Sequence, residues 1–178
     1  MKLTSIGDEN TNILPHNKNL NSELVSFISL CYNKIGRTID MDGKDKDLLN
    51  IEQEYCSSGG NLFVLIENKC IVGTIAVKFF SLPKGYVGEI HRFYIYPEYQ
   101  RRGYGTKLLD FIYCYAKENG ASYLRGTTEY CLSNAIALFK KEVPMKYRSA
   151  VKAMQKHFSS ERFQKMLRIG TFLTFQKN

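Results

Sequence analysis

Two residues able to move protons stand close together in an otherwise apolar run. They are Glu89 and His91, within "YVGEIHRFYIY" from Tyr86 to Tyr96. A carboxylate or an imidazole held beside a reacting group can accept a proton from it. Shortly afterwards the chain reads "QRRGYGTKLL", Gln100 to Leu109, with Gly103 and Gly105 straddling Tyr104. Glycine turns tightly and lets the backbone approach a ligand. The first amides of a helix lack internal partners and the helix dipole adds positive potential, so a glycine turn opening a helix can hold a phosphate. Arg101 and Arg102 add charge and donors. The Gly-x-x-x-x-Gly-Lys-Ser/Thr loop is absent, and Leu108 occupies the third glycine position of Gly-x-Gly-x-x-Gly. Taken alone, the stretch is either a phosphate cradle or a plain strand-to-helix turn.

The surrounding elements decide what this junction can do. "NLNSELVSFISLCYNKIG" carries Leu24, Phe27, Ile28 and Cys31 at helical spacing and predicts a first helix leaving at Gly36. "DKDLLNIEQEYC" predicts a second, with an acidic first turn and "SSGG" as its stop. The period then changes to that of strands. "NLFVLIEN" and "CIVGTIAVKFF" predict a hairpin turning at Asn68–Lys69, and "SLPKG" breaks the chain before a third strand that ends at Pro97. A helix follows the glycines, with Leu108, Ile112 and Tyr115 along one face and Gly120 as its stop. "ASYLRGTTEY" predicts a fourth strand, and "SNAIALFKK" a short helix capped by Ser133. The order is helix, helix, three strands, helix, strand, helix. The strand–helix–strand from Tyr86 to Thr128 is a βαβ crossover, which needs parallel neighbours, whereas the hairpin needs antiparallel ones. A mixed α/β sheet follows. Alternation would put Glu89, His91, Phe93 and Ile95 on one strand face. Beyond Pro144, "SAVKAMQKHF" and "SSERFQKMLR" read as helical and "GTFLTFQ" as a final strand.

Composition narrows the class. The chain has 178 residues, 44% hydrophobic and 13% aromatic, which fits one globular domain rather than disorder. No apolar run approaches the roughly 20 residues of a membrane helix, and the polar start lacks the core of a secretory signal, so a cytoplasmic protein without a membrane partner is expected. The five cysteines are widely spaced without Cys-x-x-Cys, and the three histidines are scattered. Neither a disulfide framework nor a metal site is expected. The net charge of +8 is uneven: residues 140–178 hold ten basic and two acidic residues, and the rest balances. That asymmetry is open to two readings, a solvated helix face or contact with an acidic or nucleic-acid partner.

The whole stretch "FYIYPEYQRRGYGTKLLDFI" resembles the acetyl-CoA-binding motif of the Gcn5-related N-acetyltransferase (GNAT) superfamily: an apolar strand, a Pro-Glu-Tyr-like turn, then Arg/Gln-x-x-Gly-x-Gly/Ala opening a helix. The match is strong over residues 86–120, and the element order suits the family from about 20 to 140. The resemblance implies the acyl-CoA N-acyltransferase fold: a mostly antiparallel central sheet with the parallel crossover and helices on both faces. It implies a single N-acetyltransferase domain over 1–178, with an atypical, helical and basic segment at 141–178. It also implies acetyl-CoA as co-substrate. The pantetheine arm would pair with the backbone of Phe93, Tyr94 and Ile95. The pyrophosphate would sit on the amides from Arg101 through Arg102, Gly103, Tyr104 and Gly105 to Thr106, with Gln100 at the head of the motif.

In the histone acetyltransferase branch a general-base glutamate precedes the glycine motif by the same distance as Glu89 precedes Gln100, and is likewise followed by Ile. Glu89 is thus the implied base, with His91 as a second candidate or a water-positioning group. The tyrosine that often serves as general acid is replaced by Phe139, which has no proton to give. Leu132 replaces an asparagine common in the family, with Asn134 nearby as a further cofactor contact. Tyr130, Cys131 or Tyr147 could stand in for the acid, or solvent could. The implied activity is direct acetyl transfer to a primary amine, either a small molecule or a protein lysine or N-terminus. Two alternatives stand beside it: a non-catalytic CoA-binding module, and an acceptor bearing nucleic acid, such as aminoacyl-tRNA. Homodimerisation, common in the family, could involve the C-terminal segment.

Overall fold

The computed structural model describes residues 11–83, 85–129, 137–138 and 168–174. One six-stranded sheet runs through them, with neighbours in chain order from β1 to β6. The strands are β1 (Thr11–Pro15), β2 (Asn61–Glu67), β3 (Cys70–Leu82), β4 (Gly85–Ile95), β5 (Tyr123–Glu129) and β6 (Arg168–Thr174). The helices are α1 (Asn21–Asn33), α2 (Ile51–Tyr55) and α3 (Tyr104–Glu118). All neighbouring strands are antiparallel except β4 and β5, which are parallel and joined through α3. This is the mixed sheet that the crossover and the hairpin require.

The local chemistry accounts for most boundaries. Asn68 and Lys69 both take positive φ, 49° and 66°, as a two-residue hairpin turn demands. Gly59 takes φ 77° and closes the α2 region. The second predicted helix is broken, however. A 3-10 turn at Lys46–Leu49, α2 itself and a 3-10 turn at Cys56–Ser58 replace one continuous helix. Asn50 interrupts it and caps α2, accepting from the Gln53 amide at 3.2 Å. β1 is absent from the sequence reading. Its five residues include an asparagine and a proline, which carry little strand signal, and pairing with β2 supplies the order. β6 overlaps the predicted final strand, "GTFLTFQ", from Gly170 to Thr174 but starts two residues earlier, at Arg168, which was read as helical. The predicted helix over 149–158 and the rest of that over 159–168 lie outside the described residues, as does all of the short helix at 133–141 except Ala137–Leu138.

The sheet buries both faces. On one, α3 places Leu108, Leu109, Ile112 and Ala116 against Phe63, Leu65, Ile75, Val77, Ile90 and Leu124. On the other, α1 and α2 place Leu24, Phe27, Ile28, Ile51 and Tyr55 against Leu62, Val64 and Ala76. Each aliphatic side chain buried in this way contributes about 1.5–3 kcal/mol. Because β2 and β3 are covered on both sides, they read as continuous apolar runs rather than alternating ones.

Ile112 is 0% exposed at the centre of the α3 face. Replacing it with alanine should cost about 2–5 kcal/mol in urea unfolding. A loss below about 1 kcal/mol would contradict this packing.

Candidate active site

The site is built where β4 changes phase. Thr74 of β3 faces Tyr94, but Ala76 faces His91, so one β3 residue lies opposite two on β4. The extra residue is accommodated at Arg92, whose φ is 47°. This is a β-bulge, and it reverses the alternation beyond it. Ile90, Phe93 and Ile95 pack on the α3 side, whereas His91 meets Tyr55 edge-on at 6.0 Å and Tyr94 meets Tyr32 at 5.7 Å. The expectation that Glu89, His91, Phe93 and Ile95 share one face is therefore corrected. Glu89 and His91 lie towards α1 and α2, while Phe93 and Ile95 lie towards α3. Simple alternation assumes an uninterrupted ladder, and the inserted residue breaks it.

The same region opens the sheet. β4 pairs with β5 only from Val87↔Tyr123 to Ile90↔Gly126. Both strands continue, β4 to Ile95 and β5 to Glu129, but β5 continues with β6 alone. The two strands thus diverge past Ile90, and the β5-facing edge of His91–Ile95 borders a wedge. The turn after β4 leads to α3. Gln100 donates from Nε2 to the Ile95 carbonyl at 3.0 Å and fastens the loop to the strand end. Arg101 and Gly103 take φ 61° and 83°, and Gly103 is the N-cap of α3. Among the described residues a Cβ on Gly103 would meet nothing within 4 Å, so its glycine serves the left-handed backbone. A Cβ on Gly105 would lie 2.7 Å from Leu138 Cδ2 and 3.7 Å from the Phe93 ring, so that glycine serves close packing. Tyr104 and Thr106 stand in the first turn of α3. Arg101 is exposed. Arg102 lies 3.8 Å from Glu67 and over the Tyr99 ring at 4.8 Å, and the Tyr104 hydroxyl donates to Glu67 as well.

A scan of protein families matches the Acetyltransferase (GNAT) family over residues 24–143. The chain belongs to that family. The GNAT fold is shared with a family acetyltransferase from Staphylococcus aureus Mu50, at 28% identity over 75% of this chain and 82% of that one, with TM-score 0.68. An acetyltransferase from Streptococcus agalactiae 2603 superposes with TM-score 0.67 at 21% identity, covering 76% and 83% of the two chains. A Clostridium acetobutylicum acetyltransferase solved with acetyl-CoA gives 0.57 at 23%, covering 68% and 82%. No curated protein matches.

Within this GNAT framework, three strands set the charges in register. Lys78 of β3 faces Glu89 of β4, which faces Arg125 of β5. Arg125 donates from Nε to Glu89 Oε2 at 2.5 Å and from Nη2 to the same oxygen, and its guanidinium lies 4.6 Å from the Phe80 ring centroid. His91 Nε2 lies 3.2 Å from Glu89 Oε1. Lys78 pairs with Glu54 at 2.8 Å and lies over the Tyr55 ring. The His91 hydrogen bond, opposed by partial burial and reinforced by Arg125, holds the Glu89 carboxyl below its ordinary value of 4.5. Arg125 and Arg92 had no place in the sequence reading. The signal for Arg125 was the Glu89↔Arg125 register, which depends on knowing where β4 and β5 align. Arg92 was legible only as a charge inside an apolar strand. Asn134 and Phe139 lie outside the described residues.

A carboxyl whose folded pKa is lowered stabilises the fold above its unfolded value, and that contribution is lost as pH falls through the folded value. The stability gap between the natural chain and Glu89→Gln should stay constant above about pH 4.5 and close at lower pH. Urea midpoints measured across that range check it, and a pH-independent gap would refute the assignment.

Proposed function

We propose that the chain is an acetyl-CoA-dependent N-acetyltransferase that moves an acetyl group directly to a primary amine of a small molecule or of a protein lysine or N-terminus. The observation that carries this is the end of the β4–β5 ladder at Ile90↔Gly126, directly ahead of the glycine turn that opens α3. The glycine turn at Gly103 and the unsheeted β4 edge suit a coenzyme with an extended arm and a pyrophosphate. When bound, acetyl-CoA supplies the activated thioester acyl group.

The chain's own residues do the rest. Backbone groups of Phe93, Tyr94 and Ile95 align the arm as a strand would. The amides from Arg101 to Thr106 receive the pyrophosphate, with Arg101 adding charge from the exposed side. Asn134 is read as a further cofactor contact. An alkylamine with pKa near ~10.4 must lose a proton before it attacks. With Nε2 turned to Glu89, His91 has Nδ1 as its other ring nitrogen to meet the amine. Arg125 keeps Glu89 ionised, so Glu89 orients His91 and balances its charge once it is protonated. The Glu89–His91 pair takes the ammonium proton before attack; the neutral amine then forms the C–N bond, and its second proton passes to solvent as the C–S bond breaks. Solvent returns a proton to the departing sulfur. In the same reading residues 1–178 form one domain in the cytosol.

The test is acetyl transfer to a panel of amines. Glu89→Gln and His91→Asn should each lower kcat by about 10²–10⁴-fold while coenzyme A binding by calorimetry stays unchanged. Full activity in both variants would remove the pair from catalysis. A natural chain that binds coenzyme A but acetylates nothing would instead be a non-catalytic module. The basic excess in residues 140–178 favours a second reading, an acceptor that carries nucleic acid. Acceptor binding would then weaken steeply with salt, and salt-insensitive turnover of a small amine would exclude it.

A further inference from the structure

Arg92 occupies a position where an arginine is costly. Its backbone is left-handed, a conformation that non-glycine residues adopt only when the surroundings impose it. Its side chain is 8% exposed, so its charge needs buried partners. Both demands are met by one arrangement. Nε donates to Asp47 Oδ2 at 2.9 Å, and Nη2 donates to the other Asp47 oxygen. Nη1 donates to Asp45 Oδ1 at 2.7 Å and to the Tyr32 hydroxyl at 3.1 Å, and Nη2 also donates to the Lys44 carbonyl at 3.3 Å. These five bonds match the five N–H donors of a guanidinium. On the backbone side, the fully buried Thr74 donates its hydroxyl to the Arg92 carbonyl at 2.7 Å.

Apart from Tyr32, which lies in α1, the guanidinium's partners belong to a single segment, the loop between α1 and α2. That loop is folded around Asp45, which is 1% exposed and accepts from the Asp40 amide at 2.9 Å. Next to Arg92 on one side is His91, and on the other is the Phe93–Ile95 edge. A single residue therefore touches the loop bordering the Glu89–His91 face and sets the phase of the edge beside the wedge.

We propose that Arg92 is a positioning residue with two separable parts: its left-handed backbone holds the bulge that gives the coenzyme-binding edge its phase, and its guanidinium docks the α1–α2 loop onto that strand. The first part rests on the reading of the wedge as a coenzyme A site. The second does not.

Two substitutions separate the parts, because both delete the guanidinium but only one accepts the backbone. Glycine adopts positive φ freely, whereas valine resists it. With Arg92→Gly, the dissociation constant for coenzyme A should stay within about threefold of the natural chain, while the amides of Asp40, Asp45 and Leu48 exchange at least about tenfold faster. With Arg92→Val, the loop amides should respond alike and coenzyme A should bind at least about tenfold more weakly. Equal coenzyme affinity in the two variants, or unchanged loop exchange, overturns the proposal. Should Arg92→Val not fold, Thr74→Val is judged in its place: it leaves Arg92 and both aspartates intact and removes only the bond to the carbonyl. It should weaken coenzyme A binding severalfold, and natural affinity would overturn the first part. A natural chain that binds no coenzyme A refutes the wedge reading and the first part with it, and the exchange rates still decide the second.

Discussion

The site depends on one residue too many in β4. Between Ala76↔His91 and Thr74↔Tyr94 the ladder gains a residue on one side only, and that residue is Arg92. A regular strand would put Phe93 on the face that carries His91. The bulge instead turns Phe93 towards Gly105 and Leu138, and Ile95 towards Gly73. It lies just beyond Ile90, where β4 leaves β5. Glu89 and His91 and the stretch of β4 beyond Ile90 are thus neighbours along the strand yet present different surfaces.

Electrostatics on the α1–α2 side follow from sheet register rather than sequence proximity. Glu54, Lys78, Glu89 and Arg125 alternate in sign across α2, β3, β4 and β5. Each half-buried charge has an opposite neighbour, which limits the cost of removing it from water. Glu89 is held by two partners and its pKa falls, which weakens it as a base acting alone. Asp45 and Asp47 follow the same principle. Burial alone would raise their pKa values, but the Asp40 amide for Asp45, Arg92 for both, and the Tyr32 and Tyr55 hydroxyls outweigh it and hold them low.

Sequence patterns were most legible where a local rule sufficed. Asn68–Lys69 turned as expected because a two-residue hairpin tolerates few backbone conformations. The glycines at 103 and 105 opened α3, and the apolar spacing of Leu108, Ile112 and Tyr115 gave the face it packs on the sheet, with Tyr115 only partly buried. The sequence misled where a local rule met a tertiary exception. Asn50 divided a segment whose composition suited one helix, and β1 was ordered by its partner in spite of its own weak propensity.

The sequence by itself determined the family-like motif, the mixed sheet and the nearness of Glu89 and His91, because turn chemistry, hydrophobic period and short spacings act within a few residues. Only the tertiary structure decided which face each residue of β4 serves, that Arg125 grips Glu89, and that Arg92 ties the α1–α2 loop to the strand. Those contacts join residues 36 to 47 positions apart. They depend on strand register and on one inserted residue, and a shift of a single position would send every later side chain to the opposite face.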